Sequence, residues 1–203
     1  DLINLLYISM LGEQAIAAAV GFAGVVGFFM LSLFIGLLIG VTATVSRAIG
    51  AGRTADARAL ATSSLVLVAG IAVLVSGLTL VFLEPLLHVL GARDRVAELA
   101  QRFLTIALPS TVLLGVGMVC SALLRSVGDA RRAMLVTLLP AIATAILDPL
   151  FIFGLQLGLD GAAIVLVIAR TVWLGVGLAG AWRAHHLPAP FDRSRLGTAA
   201  PLL

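Results

Sequence analysis

Two ionisable residues, Asp148 and Arg170, stand inside long apolar runs, while the other charged residues fall between such runs. A charged side chain in hydrocarbon is expensive, so each of these two is a functional candidate before anything else is known. Two chemistries compete for Asp148. It is either a carboxylate that gains and loses a proton or a sodium ion, or one half of a structural ion pair with Arg170. Desolvation favours the neutral carboxyl and suits proton exchange, whereas a guanidinium within about 4 to 6 Å would hold the group ionised. Counted from the turn near Gly158 at about 1.5 Å per residue, Asp148 lies roughly 10 to 15 Å into its helix and Arg170 at a similar depth in the next.

Prolines surround the first candidate. Pro149 follows Asp148 directly; it has no amide to donate and clashes with the preceding turn, so the carbonyl near Ala145 is expected to lose its partner. A freed carbonyl beside a carboxylate is suitable chemistry for a cation. Pro140 is expected to bend the same helix nearer its other end, and Pro109 to break the fourth span.

The elements that must position these residues follow from hydropathy. Hydrophobic residues make up 61% of the 203, charged residues only 11%, and the mean hydropathy is +1.17. Such a composition excludes a soluble domain. Apolar stretches run from Ala15 to Ser46, Ala59 to Leu83, Phe103 to Leu124, Ala133 to Leu159 and Gly161 to Trp182. Each is long enough to cross about 30 Å of hydrocarbon, and helices satisfy their own backbone groups there. The first is longer than a perpendicular span needs and is expected to tilt or project. With the short apolar run Leu2 to Leu11, read as a first helix cut internally, the expected fold is an all-α integral membrane bundle of six helices. Residues 1–187 form that lobe, and the proline-bearing segment 188–203 reads as a cytoplasmic linker.

All thirteen basic residues are arginines. Apart from Arg170 they collect in alternate loops: Arg47, Arg53 and Arg58, then Arg125, Arg131 and Arg132, then Arg183, Arg193 and Arg195 on one side. Opposite stand Arg93, Arg95 and Arg102, offset by Glu84, Asp94 and Glu98. The bias places the loops at Gly52, Gly128 and Pro188 in the cytoplasm. It also argues against a nucleic-acid partner, since no basic face is interleaved with exposed aromatics. Gly50-Ala51-Gly52 reads as a helix stop with Thr54 as a new cap, and Gly128-Asp129 as a turn. The glycines are not a phosphate loop, because no strand precedes them and no lysine follows.

Other chemistry is thin. Cys120 lies within an apolar run and reads as packing, and His185 with His186 lacks a third metal ligand. Trp173, Trp182 and the phenylalanines from Phe22 to Phe34 read as packing or interfacial residues, and the many glycines as close helix contacts. No nucleophile, base and orienting group share a compatible spacing, so no enzyme is expected, and neither a cofactor nor a bound metal.

Five segments resemble the multidrug and toxic compound extrusion (MATE) transporters. They are Leu11-Gly12-Glu13-Gln14-Ala15-Ile16-Ala17-Ala18, Ala48-Ile49-Gly50-Ala51-Gly52, Leu124-Arg125-Ser126-Val127-Gly128-Asp129, Leu147-Asp148-Pro149-Leu150-Phe151-Ile152 and Gly158-Leu159-Asp160-Gly161-Ala162-Ala163. Their order resembles that family's amino-terminal lobe. The resemblance implies half of a twelve-helix, two-lobe exporter in the bacterial plasma (inner) membrane. It also implies a carboxy-terminal lobe as partner, small amphipathic or cationic substrates, and antiport against H+ or Na+. The family's amino-terminal cation site combines an aspartate in the first helix, an asparagine one turn before the fifth-helix aspartate, that aspartate, and a threonine in the sixth helix. Here Asp148 matches, Asn4 and Thr144 stand at two of the other positions, and Leu166 lies near the last. Asn4 and Thr144 still offer oxygen; Leu166 does not. A weakened sodium site is therefore expected, with coupling through Asp148. The alternatives are a lipid-linked saccharide flippase, for which one intramembrane arginine is few, and a transport-inactive membrane fragment.

Overall fold

The computed structural model describes residues 14–155 and 157–185. Among them every regular element is helical: α1 (Gln14–Gly50), α2 (Thr54–Val81), α3 (Leu83–Val89), α4 (Asp94–Ala107), α5 (Thr111–Ser126), α6 (Ala130–Pro149), a π turn (Leu150–Gly154) and α7 (Gly158–His185). Four stretches are long and apolar enough to cross a membrane alone, and α4 with α5 makes a fifth, broken span. The expected first helix, Leu2 to Leu11, and the linker 188–203 lie outside the described residues.

The broken span departs from its expected form. Hydropathy alone placed its start at Phe103, yet the helix begins at Asp94. Ala100, Phe103, Leu104 and Ala107 are buried along one stripe, while Arg95, Glu98 and Arg102 are exposed. A half-charged amphipathic turn lowers mean hydropathy without losing its helical period, which explains the late start. As expected, the span breaks at Pro109, and its halves meet at 50°.

The other prolines act unequally. Pro140 is inside α6, which continues through it without interruption. After Pro149 the ladder widens into the π turn, closed by Leu155 N to Leu150 O at 2.9 Å, instead of running on to Leu159. That is a known way to absorb a missing amide. The next helix consequently starts at Gly158, three residues earlier than hydropathy indicated.

Short turns join the spans. Gly52 (φ 72°) and Gly128 (φ 80°) take the left-handed conformation that ends α1 and α5. Asp129 caps α6 by accepting from Arg132 N at 3.1 Å. The expected cap at Thr54 is not formed: Thr54 is already the first residue of α2, and Arg53 holds the cap position without a side-chain bond.

At the centre lies α5, packed on α1, α2, α6 and α7. Its buried face is built of Gly115, Gly117, Val119, Cys120, Ala122, Leu123 and Leu124, residues small enough for close approach on several sides. Outward, large apolar side chains such as Phe28, Phe29, Ile39, Leu74 and Ile146 are exposed, as in a bundle whose solvent is hydrocarbon.

Candidate functional site: a buried carboxylate and a broken span

Asp148 lies near the end of α6, just before the π turn, with an exposed area of 0%. Neither carboxylate oxygen has a hydrogen-bond partner among the described residues. An ionised carboxylate so placed pays a desolvation cost that no hydrogen bond from the described residues offsets. Two states relieve it: a protonated carboxyl, or a carboxylate holding a cation.

Its surroundings come from the local backbone. Thr144, one turn earlier, donates its hydroxyl to the Pro140 carbonyl at 2.8 Å. Above Asp148 the π turn abuts α7 closely: a Cβ at Gly161 would come within 2.9 Å of the Phe151 carbonyl. The amino end of α7 is thus tied to the turn that Pro149 sets up. Leu166 packs with the main apolar core and offers no ligand, in keeping with its side chain. Asn4 lies outside the described residues.

The alternative role for Asp148, an ion pair with Arg170, is not formed. Arg170 instead donates Nη1 to the Ala107 carbonyl at 2.7 Å and to Ser110 Oγ at 2.7 Å. The physical reason is the break at Pro109, which leaves carbonyls at the carboxy end of α4 for a cation to meet. The sequence signal for this partner was Pro109 itself, since a broken helix at membrane depth must find donors elsewhere.

Of the remaining candidates, Trp173 and Cys120 are packed between helices, while Trp182, Phe28 and Phe29 are exposed. Trp173 lies against Leu124, Ala133 and Val136, and Cys120 is a free, buried thiol. Among the described residues no three His, Cys, Asp or Glu side chains gather as metal ligands.

The MatE family matches residues 1–150, which takes in α1 through α6 and Asp148. The chain belongs to the MatE family. Within that family's reach it is 34% identical over 183 residues to the FAD transporter of Shewanella oneidensis, covering 87% of this chain and 40% of that protein. It is 30% identical over 168 residues to the probable multidrug resistance protein NorM of Thermotoga maritima, covering 78% and 35%. A crystal structure of MATE in the bent conformation superposes with a TM-score of 0.90 at 26% identity, over 99% of this chain and 46% of that one. A MOP superfamily transporter from Pyrococcus furiosus gives a TM-score of 0.86 at 27% identity, over 96% and 43%. This MatE chain therefore spans two-fifths or less of the curated relatives' length and under half of the solved structures.

Proposed function

We propose that this chain is the amino-terminal lobe of a secondary active transporter that exports small amphipathic or cationic compounds by antiport against H+ or Na+. It acts in the bacterial plasma (inner) membrane, with the loops at Gly52 and Gly128 cytoplasmic and a second lobe completing the protein. The observation that carries this reading is the complete burial of Asp148 with both oxygens unpartnered among the described residues. Such a carboxylate changes its interaction with the protein strongly when it takes up a cation, and that difference is what drives a conformational exchange.

Coupling through protonation is the simpler form. The two hydroxyl and amide positions that would strengthen a sodium site, Thr144 and Asn4, are neutral, and Leu166 contributes nothing. The test is Asp148→Asn in the full-length protein, with export followed under imposed proton and sodium gradients. Loss of gradient-driven export with retained substrate binding supports the assignment; unchanged coupling refutes it.

A second cargo class is favoured by the similarity to a protein named as a FAD transporter. Export of flavin nucleotides from cells carrying the full-length gene, set beside export of a cationic dye, separates the two. Flavin in the medium without dye efflux would favour the anionic cargo.

A further inference from the structure

The break in the fourth span leaves the Ala107 carbonyl without its helical amide and turns the Thr111 amide onto the Leu108 carbonyl, and side chains from two other helices reach these two acceptors. In a continuous helix the amide of Thr111 would bond the Ala107 carbonyl. Here that amide has turned to Leu108 at 2.9 Å, and Pro109 has no amide at all. The Ala107 carbonyl receives Arg170 Nη1 from α7 at 2.7 Å and Ser110 Oγ at 2.7 Å. The Leu108 carbonyl receives Ser76 Oγ from α2 at 2.7 Å and Thr111 Oγ1 at 2.6 Å. Ser76, Ser110 and Thr111 are all buried, so water does not compete for these bonds.

An arginine is a costly way to supply one donor at membrane depth. Arg170 has no carboxylate partner among the described residues; it faces the end of α4, where the helix dipole is negative and the Ala107 carbonyl lacks its helical amide. The ion pair of Arg102 with Asp160, largely exposed, joins the same two helices nearer the amino end of α7. An ion pair exposed to this degree adds little, so the Arg170 contact carries the fastening of α4 to α7.

We propose that Arg170 is a lock: it stands in for the missing backbone donor at the Pro109 break, fixes the fourth span in its bent form, and makes α4 and α7 move as one body. The broken span is then a rigid bracket, and any hinge of the transport cycle lies elsewhere. This holds independently of whether Asp148 couples to a cation.

The experiment places spin labels on either side of the break, at Gln101→Cys and Met118→Cys in a Cys120→Ala background of the full-length protein. Distances and melting temperature are then measured for Arg170→Met and Arg170→Lys, each with Pro109 and with Pro109→Ala. With Pro109 present, Arg170→Met broadens the distance distribution and lowers the melting temperature by about 5 °C, and Arg170→Lys restores most of the narrow distribution. With Pro109→Ala the Thr111 amide can return to Ala107, and the effect of Arg170→Met shrinks at least threefold. An unchanged distribution in Arg170→Met, or an equal effect in both backgrounds, overturns the proposal. If Arg170→Met does not accumulate, Ser76→Ala reads the same break: a broadened distribution with Pro109 and none with Pro109→Ala supports the bracket, and equal effects overturn it.

Discussion

Thr144 stands one turn before Asp148 on α6, yet its hydroxyl donates back to the Pro140 carbonyl at 2.8 Å and not to the carboxylate. The donor is committed, so only hydroxyl lone pairs remain for a cation beside Asp148. The bond is of the weak back-bonded kind, common in membrane helices.

Thr144→Val therefore is expected to leave folding within about 1 kcal/mol of the parent and to spare proton-driven export, while lowering any stimulation by sodium. Thr144→Asn adds an amide oxygen one turn from Asp148 and is expected to raise the apparent sodium affinity by roughly tenfold, equivalent to about 1.4 kcal/mol. Export measured against sodium concentration at fixed pH checks both. If Thr144→Val removes proton-driven export as well, the hydroxyl is part of the proton site and Asp148 does not exchange protons alone.

The seam between α5 and α7 sets a second expectation. A Cβ at Gly177 would meet the Cys120 Cβ at 2.9 Å, and one at Gly117 would meet Trp173 Cδ1 at 2.9 Å and the Leu174 amide nitrogen at 3.3 Å. Overpacking of this kind costs about 1 to 3 kcal/mol. Gly177→Ala is expected to lose that much, measured by thermal denaturation in detergent, and Cys120→Gly is expected to recover most of it by removing the opposing Cβ. At Gly24, where a Cβ meets nothing within 4 Å, the same change is expected to be neutral or stabilising by up to about 1 kcal/mol through helix propensity. A Gly177→Ala protein as stable as the parent would mean that the two helices can slide apart at this point.

Asp129 gives a third. Its carboxylate accepts from the Arg132 amide at 3.1 Å and from Arg132 Nη1 at 2.6 Å, closing the first turn of α6. Replacing a capping aspartate by alanine costs about 1 kcal/mol. Asp129→Asn keeps the amide acceptor and is expected to retain more than half of that, because the ion pair with Arg132 is half exposed and contributes little. Equal losses in the two variants would shift the weight from the cap to the ion pair.

The spans, the loop turns and the buried carboxylate were legible in the sequence because each rests on a local rule. Hydropathy marks α1, α2, α6 and α7, glycine marks the turns after α1 and α5, and an aspartate within an apolar run marks itself. What local rules missed was set by tertiary structure. The charged half of α4 hid its helix from hydropathy. Pro140 did not interrupt α6, whereas Pro149 diverted it into a π turn, a distinction that proline identity alone does not carry. The partner of Arg170 was not legible: its nearest candidate by depth was Asp148, while the acceptor that holds it belongs to a helix 63 positions earlier in the chain. Only the meeting of α4, α5 and α7 at the Pro109 break makes that contact.

The arginine bias between alternate loops makes the last expectation. Arg47, Arg53 and Arg58 flank one turn and Arg125, Arg131 and Arg132 another, whereas the loops after α2 and after the π turn share only Arg93, Arg95 and Arg102 between them, beside Glu84, Asp94, Glu98 and Asp160. Arginines near helix ends are retained on the cytoplasmic side during insertion, and acids contribute little to the choice. In a Cys120→Ala background, Ala51→Cys and Ala130→Cys are therefore expected to resist a membrane-impermeant maleimide in intact cells and to react after the membrane is opened. Val89→Cys, at an exposed position beyond α2, is expected to react in intact cells. Reversal of all three would show that orientation is set by something other than these arginines. Labelling of Ala51→Cys and Val89→Cys from the same side would be the more serious result, because α2 would then not cross the membrane and Asp148 would lose the hydrocarbon surroundings that make its empty oxygens matter.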